Sequence, residues 1–313
     1  MRALACPASL KGVLSASEAA AALAAGFRAA GVETDECPVA DGGEGTVDVL
    51  FAALGGEWRD AVVSDPLGRP IRARWLLLPS RVAVVESAEA IGLGVLAERD
   101  PLHASSRGLG ELVRAAHAEW PAGLIVGLGG SATVDGGKGV RQVLSSLPTG
   151  TIALCDVRTR LADAARLYGP QKGASPEDVR KLRRRLMAMQ DLTPFADQPG
   201  SGSAGGLGAA FAALGARLVP GARYVLDLIR FRERLRGVAL AVSGEGTLDA
   251  TTPEGKAPWE VRRVAKAAGV RCALFGGRVE LDEPDVHALS GDPTRAAEDL
   301  RALGRELAAS AAR

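Results

Sequence analysis

The stretch GVETDECPVADGGEGTVDVL, residues 31–50, sets the fold class of this chain. An extended segment over residues 33–39 leads into the glycine loop Asp41-Gly42-Gly43-Glu44-Gly45. A helix is predicted directly after the loop, over residues 46–54, where apolar residues recur at helical spacing. A strand that enters a glycine loop and leaves it as a helix is typical of α/β proteins with a parallel sheet.

The segments upstream of this stretch and at the far end of the chain repeat the same rhythm. Residues 3–6 predict a strand, and residues 19–30 predict a helix opened by the capping box of Ser15 and Glu18. Near the C-terminus the predicted order is strand, helix and strand, over residues 238–243, 256–268 and 270–275, with a last helix capped by Asp292. Both ends of the chain are therefore expected to build one α/β domain.

The middle of the chain has a different rhythm. Residues 57–63, 70–78 and 82–86 predict three successive strands joined by short turns, which indicates a locally antiparallel sheet. Helices and strands resume afterwards, with predictions at 107–117, 123–128, 151–155 and 176–190. We therefore predict two α/β domains: a discontinuous one from 1–63 plus 237–313, and an inserted one with a mixed sheet from 64–236.

Composition excludes several classes of protein. The 313 residues are 47% hydrophobic and 24% charged with a net charge of +1, which is typical of a globular protein and disfavours a globally basic nucleic-acid binder. No apolar run approaches 18 residues, so no membrane contact is expected. The four cysteines lie far apart in apolar segments, which indicates buried thiols, not a zinc site. We expect a soluble cytoplasmic protein, with a homodimer as one expected state.

One basic run leaves a nucleic-acid role open. Residues 180–185 read RKLRRR on a predicted helix, with Glu177 and Asp178 one turn earlier. Such a run is usually a solvated helix face, and nucleic-acid binding favours interleaved aromatic residues, which make up only 4% of this chain. We expect no nucleic-acid partner.

Glycine carries the functional signal, with 39 residues that cluster in four loops. The loops are residues 41–46, 127–137, 200–208 and 243–249, and three of them follow a predicted strand. In open α/β sheets the loops at the carboxyl ends of strands form the ligand crevice, and glycine lets backbone N–H groups approach an anion. No P-loop or nucleophile elbow is present. The pattern predicts a site for a polyanion or a metal-bound nucleotide.

Charged residues in or beside these loops suit phosphoryl transfer. That chemistry uses carboxylates to hold Mg²⁺ and accept a hydroxyl proton, and cations to offset phosphate charge. The carboxylates are Asp41, Glu44, Asp135, Asp156, Glu245 and Asp249, and the lysines are Lys11, Lys172 and Lys256.

These and further motifs make the chain similar to one known family. The chain resembles the bacterial type I glycerate kinases over nearly its whole length. The matching stretches are CPASLKG at 6–12, VADGGEGT at 39–46, GLGEL at 108–112, the loop 127–137, CDV at 155–157, YGPQKGA at 168–174, the loop 200–208, SGEGTLD at 243–249 and GKAP at 255–258.

The resemblance implies ATP-dependent phosphorylation of D-glycerate, a small-molecule partner, to give 2-phosphoglycerate. It also implies Mg²⁺, and two α/β domains, one of them flavodoxin-like, with the active site in a cleft between them.

Roles for individual residues follow from the resemblance and from their chemistry. Lys11, with Arg107, is expected to hold the substrate carboxylate, and Glu44 to line the same pocket. Asp41 or Asp156 is expected to orient or deprotonate the attacking hydroxyl. The predicted nucleotide and phosphate ligands are Gly129, Gly130, Ser131, Thr133, Glu245, Asp249 and Lys256, and the predicted metal ligands are Asp156 and Glu245.

The chain departs from the usual family motifs at four places, and a segment between Gly139 and Thr151 is shorter. The departures are Ala8 with Leu10 for Asp and Phe, Val134 for Asn, Arg158-Thr159-Arg160 for Asp-Asn-Pro, and Thr251 for Gln. They leave two alternatives open: a kinase for another small hydroxy acid, or a family member that binds ligands without catalysis.

Overall fold

The computed structural model describes residues 1–311, which fold into two compact units. The first unit comprises Met1–Ala40, Asp48–Ala53 and the described residues from Ala222 onward, and the second comprises Asp41–Val47 and Leu54–Gly221. These limits lie near the predicted boundaries at 63/64 and 236/237 without coinciding with them. The strand after residue 56 pairs inside the second unit, and the glycine loop at 41–47 also belongs there.

Eleven strands form in residues 1–311. They are β1 Arg2–Ala5, β2 Glu33–Glu36, β3 Glu57–Ser64, β4 Pro70–Leu77, β5 Val82–Glu86, β6 Gly123–Gly127, β7 Ile152–Cys155, β8 Arg217–Pro220, β9 Leu240–Leu248, β10 Arg271–Val279 and β11 Val286–Ala288.

Twelve α-helices form in the same residues. They are α1 Ala16–Ala29, α2 Thr46–Leu54, α3 Ser87–Ile91, α4 Arg107–Ala118, α5 Lys138–Val143, α6 Leu161–Tyr168, α7 Pro176–Met187, α8 Ser203–Ala213, α9 Gly221–Leu228, α10 Phe231–Arg234, α11 Ala257–Ala267 and α12 Ala296–Ala311. None of the helices in this part of the chain combines the length and the apolar character that a membrane span requires.

The sheet of the first unit is wholly parallel, with the strand order β2-β1-β9-β10-β11. This is the flavodoxin-like order, in which the chain changes direction across the sheet between β1 and β9. Helix α1 and helix α12 pack on the sheet through an apolar cluster that includes Leu23, Phe27 and Phe275, all fully buried. The fold therefore places the ends of β1 and β9 where ligands of such sheets bind.

The sheet of the second unit is mixed, with the order β3-β4-β5-β6-β7-β8. β3, β4 and β5 are antiparallel, and β5 to β8 run parallel. The core around Trp75, Leu109 and Phe211 buries one face of the sheet, and a smaller cluster around Leu182 and Leu186 lies under α7. The carboxyl ends of β5, β6 and β7 thus share one edge.

The predicted fold class is confirmed in both parts: one parallel flavodoxin-like sheet and one mixed sheet. α2 and β5 have the predicted bounds, and the antiparallel segment is where the turns indicated it. Eight elements were not predicted from the sequence: α3, α5, α6, α8, β8, α9, α10 and β11, which are three to eleven residues long.

Helices α1 and α12 cross at glycines. A Cβ atom on Gly26 would lie 2.1 Å from the carbonyl oxygen of Arg301, and one on Gly304 would lie 2.5 Å from that of Leu23. The two backbones approach too closely for any side chain at these positions.

We expect Gly26→Ala to destabilise the first unit. The gain in helix propensity is about 1 kcal/mol, whereas the overpacked crossing forces the helices apart at a cost of about 1–3 kcal/mol or more. Urea denaturation followed by circular dichroism measures the difference. The control is Gly94→Ala, where the added Cβ meets no atom within 4 Å. Equal midpoints for Gly26→Ala and the wild type would contradict the crossing described here.

Candidate active site

The loops after β6 and β7 and the glycine loop at 41–46 meet at the carboxyl edge of the second unit's sheet. The backbone N–H of Gly129 donates to the carbonyl oxygen of Gly42 at 3.1 Å. A Cβ on Gly129 would lie 2.6 Å from the Gly43 Cα and 2.8 Å from Asp156 Oδ2. Only glycine lets these two loops and the Asp156 carboxylate come together at this point.

A buried carboxylate holds the glycine loop at 41–46 in place. Glu86, the last residue of β5, is 2% exposed, and its two oxygens accept from the backbone N–H groups of Gly45 at 2.8 Å and Val47 at 3.1 Å. The N–H groups at the start of α2 are thereby partnered. The role of Glu86 could not be predicted from the sequence, because nothing near residue 86 indicates which backbone groups its carboxylate will contact.

Asp135 anchors the far end of the loop 127–137. One of its oxygens accepts from the N–H of Ser106 at 2.9 Å, the hydroxyl of Ser106 at 2.8 Å and the N–H of Gly139 at 3.0 Å. The other accepts from the N–H of Gly137 at 3.0 Å. With four such partners Asp135 fixes the starts of α4 and α5, and its carboxylate serves the fold.

Lys172 lies buried beneath the same loop. Its side chain follows α6 in a short 3₁₀ turn, and the residue is 3% exposed. The ammonium donates to Ser131 Oγ at 3.0 Å and to the carbonyl oxygen of Thr133 at 2.7 Å. Burial lowers the pKa of Lys172 to about 7, against the opposing influence of the Asp156 and Asp135 carboxylates.

Two further acidic residues lie on the glycine loop. Asp41 Oδ1 accepts from the N–H of Gly43 at 3.2 Å, so this carboxylate also shapes the turn. Glu44 is exposed and adjoins Gly130, where a Cβ would lie 3.4 Å from the Glu44 Cβ. The structure therefore brings Asp41, Glu44, Gly129, Gly130 and Asp156 to one edge of this unit.

A second polar cluster forms in the first unit at the carboxyl end of β9, which continues through Glu245 to Leu248, where the sequence predicts a loop from residue 243. Lys256 Nζ lies 3.4 Å from Glu245 Oε1 and 3.5 Å from Asp249 Oδ1. Thr252 Oγ1 donates to Glu245 at 3.3 Å. Burial raises the pKa of Asp249, but hydrogen bonds from Thr251 and the charge of Lys256 outweigh it, so the pKa is lowered. The structure thus joins the three residues Glu245, Asp249 and Lys256.

The two predicted cations for the substrate lie in different surroundings. Lys11 is exposed in the turn after β1. The backbone of this turn passes beside β9, since a Cβ on Gly246 would lie 4.0 Å from the backbone nitrogen of Lys11. Arg107 opens α4, and its guanidinium donates to Glu111 at 2.8 Å. Glu111 also accepts from the N–H of Ser64 at the end of β3. The described contacts of Arg107 therefore tie it to Glu111.

Comparison with known proteins assigns this arrangement to a family. A family model described as the glycerate kinase family matches residues 3–151 and 147–296, which together include loops of both units. The chain belongs to the glycerate kinase family. It is 36% identical to the glycerate 2-kinase of Escherichia coli over 85% of this chain and 82% of that protein. It is 35% identical to a glycerate kinase of Bacillus subtilis over 92% of this chain and 87% of that protein.

A solved structure agrees with the family assignment. A crystal structure from Salmonella typhimurium LT2, provisionally assigned as a glycerate kinase 2, matches with a TM-score of 0.80 and 32% identity. The match covers 99% of this chain and 98% of the other. The resemblance stated from the sequence is confirmed, and membership in a kinase family implies ATP as the phosphate donor.

The family departures occupy positions that the structure explains in part. Val134 is 1% exposed and packs in the apolar cluster beneath α7. Thr251 caps the turn at Asp249 through its N–H and hydroxyl. Ala8 donates its N–H to the carbonyl oxygen of Gly244 at 2.8 Å. Thr159 bonds to the hydroxyl of Tyr168. These residues keep the loops attached to their sheets without a charged side chain.

We expect the stability of this glycerate kinase family member to depend on pH through Lys172. The lysine is charged in the unfolded chain up to its ordinary pKa, but in the folded protein it loses its proton near pH 7, so the unfolded state binds more protons above that pH. Stability should therefore rise with pH relative to Lys172→Met. The difference in free energy of unfolding should move by about 2 kcal/mol in favour of the wild type between pH 7 and pH 9.

Urea titrations of both proteins at the two pH values measure this change. Leu186→Ala serves as the control, because it removes buried apolar volume and no titratable group. A Lys172→Met difference as independent of pH as the Leu186→Ala difference would contradict the lowered pKa.

Proposed function

We propose that this chain transfers the γ-phosphoryl group of ATP to D-glycerate and forms 2-phosphoglycerate. The observation that carries the proposal is the family match over residues 3–296, which takes in the glycine loops of both units. The name glycerate 2-kinase of the Escherichia coli relative supports the position of transfer. The partner is a small hydroxy acid.

The second unit offers an anion cradle for the transferring group. Backbone at Gly129 and Gly130 lies beside Asp156, and Ser131 and Thr133 follow in the same loop. Thr133 Oγ1 is buried and has no hydrogen-bond partner in residues 1–311. A loop with glycines, hydroxyls and a lysine behind it suits phosphate oxygens.

The residues present also fit Mg²⁺ bound together with a nucleotide. Across the described chain, no group of three or more His, Cys, Asp or Glu side chains could hold a metal ion by itself. Mg²⁺ in kinases usually takes one or two carboxylates together with phosphate oxygens and water. We propose Asp156 as its protein ligand in the second unit; the metal-binding role of Glu245 in the first unit stays a prediction from the sequence. When bound, Mg²⁺ neutralises charge on the phosphates.

The chemistry requires one proton acceptor. The hydroxyl oxygen of glycerate forms a bond to the γ-phosphorus, the bond from that phosphorus to the β,γ-bridging oxygen breaks, and ADP leaves. The hydroxyl proton passes to a carboxylate, for which Asp41 and Asp156 are the candidates in this unit. We favour Asp156, because its Oδ2 adjoins the backbone of Gly129, where a Cβ would lie 2.8 Å from it and where the phosphate is proposed to bind.

For the first unit we propose the roles that its sequence motifs indicate. Lys11 holds the carboxylate of glycerate, and Lys256 contacts a phosphate with Glu245 and Asp249 around it. The two acidic residues hold the Lys256 ammonium at 3.4 and 3.5 Å, which keeps a cation at the start of α11. Arg107 and Glu44 remain predicted substrate contacts.

The assay that tests the function combines the purified protein, Mg·ATP and D-glycerate. Release of ADP should depend on D-glycerate, and enolase added to the mixture should consume the product, because enolase acts on 2-phosphoglycerate. L-glycerate and other small hydroxy acids serve as comparison substrates. ATP binding without release of ADP, for every acid tried, would contradict the proposal and favour a binding protein.

We expect Asp156→Asn to lower kcat at least 10²-fold, because the amide neither accepts the hydroxyl proton nor offers a charged metal ligand. The KM for D-glycerate should change much less. Asp163→Asn is the matched control: Asp163 is an exposed carboxylate of α6 that pairs with Arg166. Steady-state kinetics with both substrates measure the effect. A variant at Asp156 with the kcat of the Asp163 control would remove Asp156 from the proposed chemistry.

A further inference from the structure

A buried lysine that the proposed chemistry does not use lies behind the anion cradle. Lys172 and Ser131 are each 3% exposed, and the ammonium of Lys172 is 3.0 Å from Ser131 Oγ. A second donor of the ammonium reaches the carbonyl oxygen of Thr133 at 2.7 Å. Lys172 therefore donates to two residues of the loop 127–137, Ser131 and Thr133, which follow Gly129 and Gly130 in the chain.

The donors and acceptors of the Lys172 ammonium and the Ser131 hydroxyl decide where the hydroxyl proton of Ser131 points. A lysine ammonium has three donors and no acceptor, whereas a serine hydroxyl has one donor and two lone pairs. While Lys172 carries its proton, Ser131 Oγ must therefore accept from it, and the proton of Ser131 is directed to another acceptor. With Lys172 on one side, the hydroxyl is left as a donor for a group on the other side.

The backbone around Ser131 holds this arrangement in register. The N–H of Ala132 donates to the carbonyl oxygen of Ile91 at 2.7 Å, and the N–H of Leu93 donates to that of Gly130 at 3.2 Å. Gly205 packs against the backbone of Thr133: a Cβ on Gly205 would lie 2.2 Å from the carbonyl oxygen of Thr133. The loop has little freedom to move Ser131, so the partner of its hydroxyl decides where the proton points.

We propose that Lys172 is a positioning residue, whose ammonium turns the Ser131 hydroxyl into a donor toward a phosphate group bound at Gly129 and Gly130. The proposal rests on the proposed kinase function, and it assigns Lys172 no contact with substrate. It also explains why a charged side chain lies under a loop that packs against an apolar cluster around Leu161 and Leu186.

A double-mutant cycle between Lys172→Met and Ser131→Ala, measured at pH 6 where Lys172 carries its proton, tests this. Each single variant should lose about 10- to 100-fold in kcat, the range of one hydrogen bond to a charged group, with the KM for D-glycerate within about threefold of the wild type. The double variant should be no more than about threefold below Lys172→Met, because the two residues act as one unit. Losses that multiply in the double variant would overturn the proposal, as would full activity of Lys172→Met.

Two further variants separate positioning from folding. Lys172→Arg should recover at least tenfold over Lys172→Met, because a guanidinium also donates without accepting; activity as low as in Lys172→Met, with both variants folded, would overturn the proposal. Lys181→Met, which removes an exposed lysine of α7, should keep wild-type kinetics. If Lys172→Met does not melt cooperatively, the cycle is run with Lys172→Gln, whose amide is uncharged and offers an oxygen that can accept the Ser131 proton.

The failure of the proposed function would be distinguishable from the failure of this inference. Turnover of D-glycerate by the wild type reports on the function alone. If the wild type shows none, the same cycle is read on the binding of a non-hydrolysable ATP analogue by calorimetry. Non-additive losses of affinity would then support the positioning role, and additive losses would overturn it.

Discussion

The second unit depends on backbone packed directly against backbone at the carboxyl edge of its sheet. Gly42 lies where a Cβ would come within 2.6 Å of the Leu154 side chain, and Gly129 lies against Gly43 and Asp156. Side chains at these positions would separate the loop at 41–46 from the ends of β6 and β7. Because nothing stands between them, loops more than eighty residues apart along the chain present their N–H groups and carboxylates at one edge.

This packing removes polar backbone groups from water, and buried charged side chains replace the hydrogen bonds that water would have made. N–H groups at the start of α2 and in the glycine loop are taken from water, and Glu86 accepts from two of them. On the other side of the edge, the buried ammonium of Lys172 faces Asp156 and Asp135, whose charges oppose the cost of its burial. Each of the two loops is thus held by one buried charge, and a loop fixed in advance loses less conformational freedom when it binds a ligand.

The sequence predicted those parts of the fold and of the candidate site that local residue patterns and motifs determine. Alternating strands and helices predicted the parallel and mixed sheets, and the motif at 243–249 with Lys256 predicted the cluster at the end of β9. The contacts of Glu86 with the glycine loop and of Ser106 with Asp135 could not be predicted, because these partners lie 29 to 41 residues apart along the chain and only the folded sheet brings them together. Asp135 illustrates the difference: the sequence placed it among carboxylates suited to phosphoryl transfer, whereas its four hydrogen bonds serve the loop.

The positions at which this chain departs from the family motifs show which packing contacts and hydrogen bonds of the loops are kept. An Asn at position 134 would place an amide in an apolar cluster, whereas Val134 fills that space with methyl groups and leaves no polar atom to be satisfied. At position 251 the hydroxyl of threonine still bonds to Asp249, which in turn lies 3.5 Å from Lys256. These two replacements therefore preserve the packing or the hydrogen bond at their positions. The glycines and Asp156 of the proposed anion cradle match the family motifs, as does Lys172 behind it.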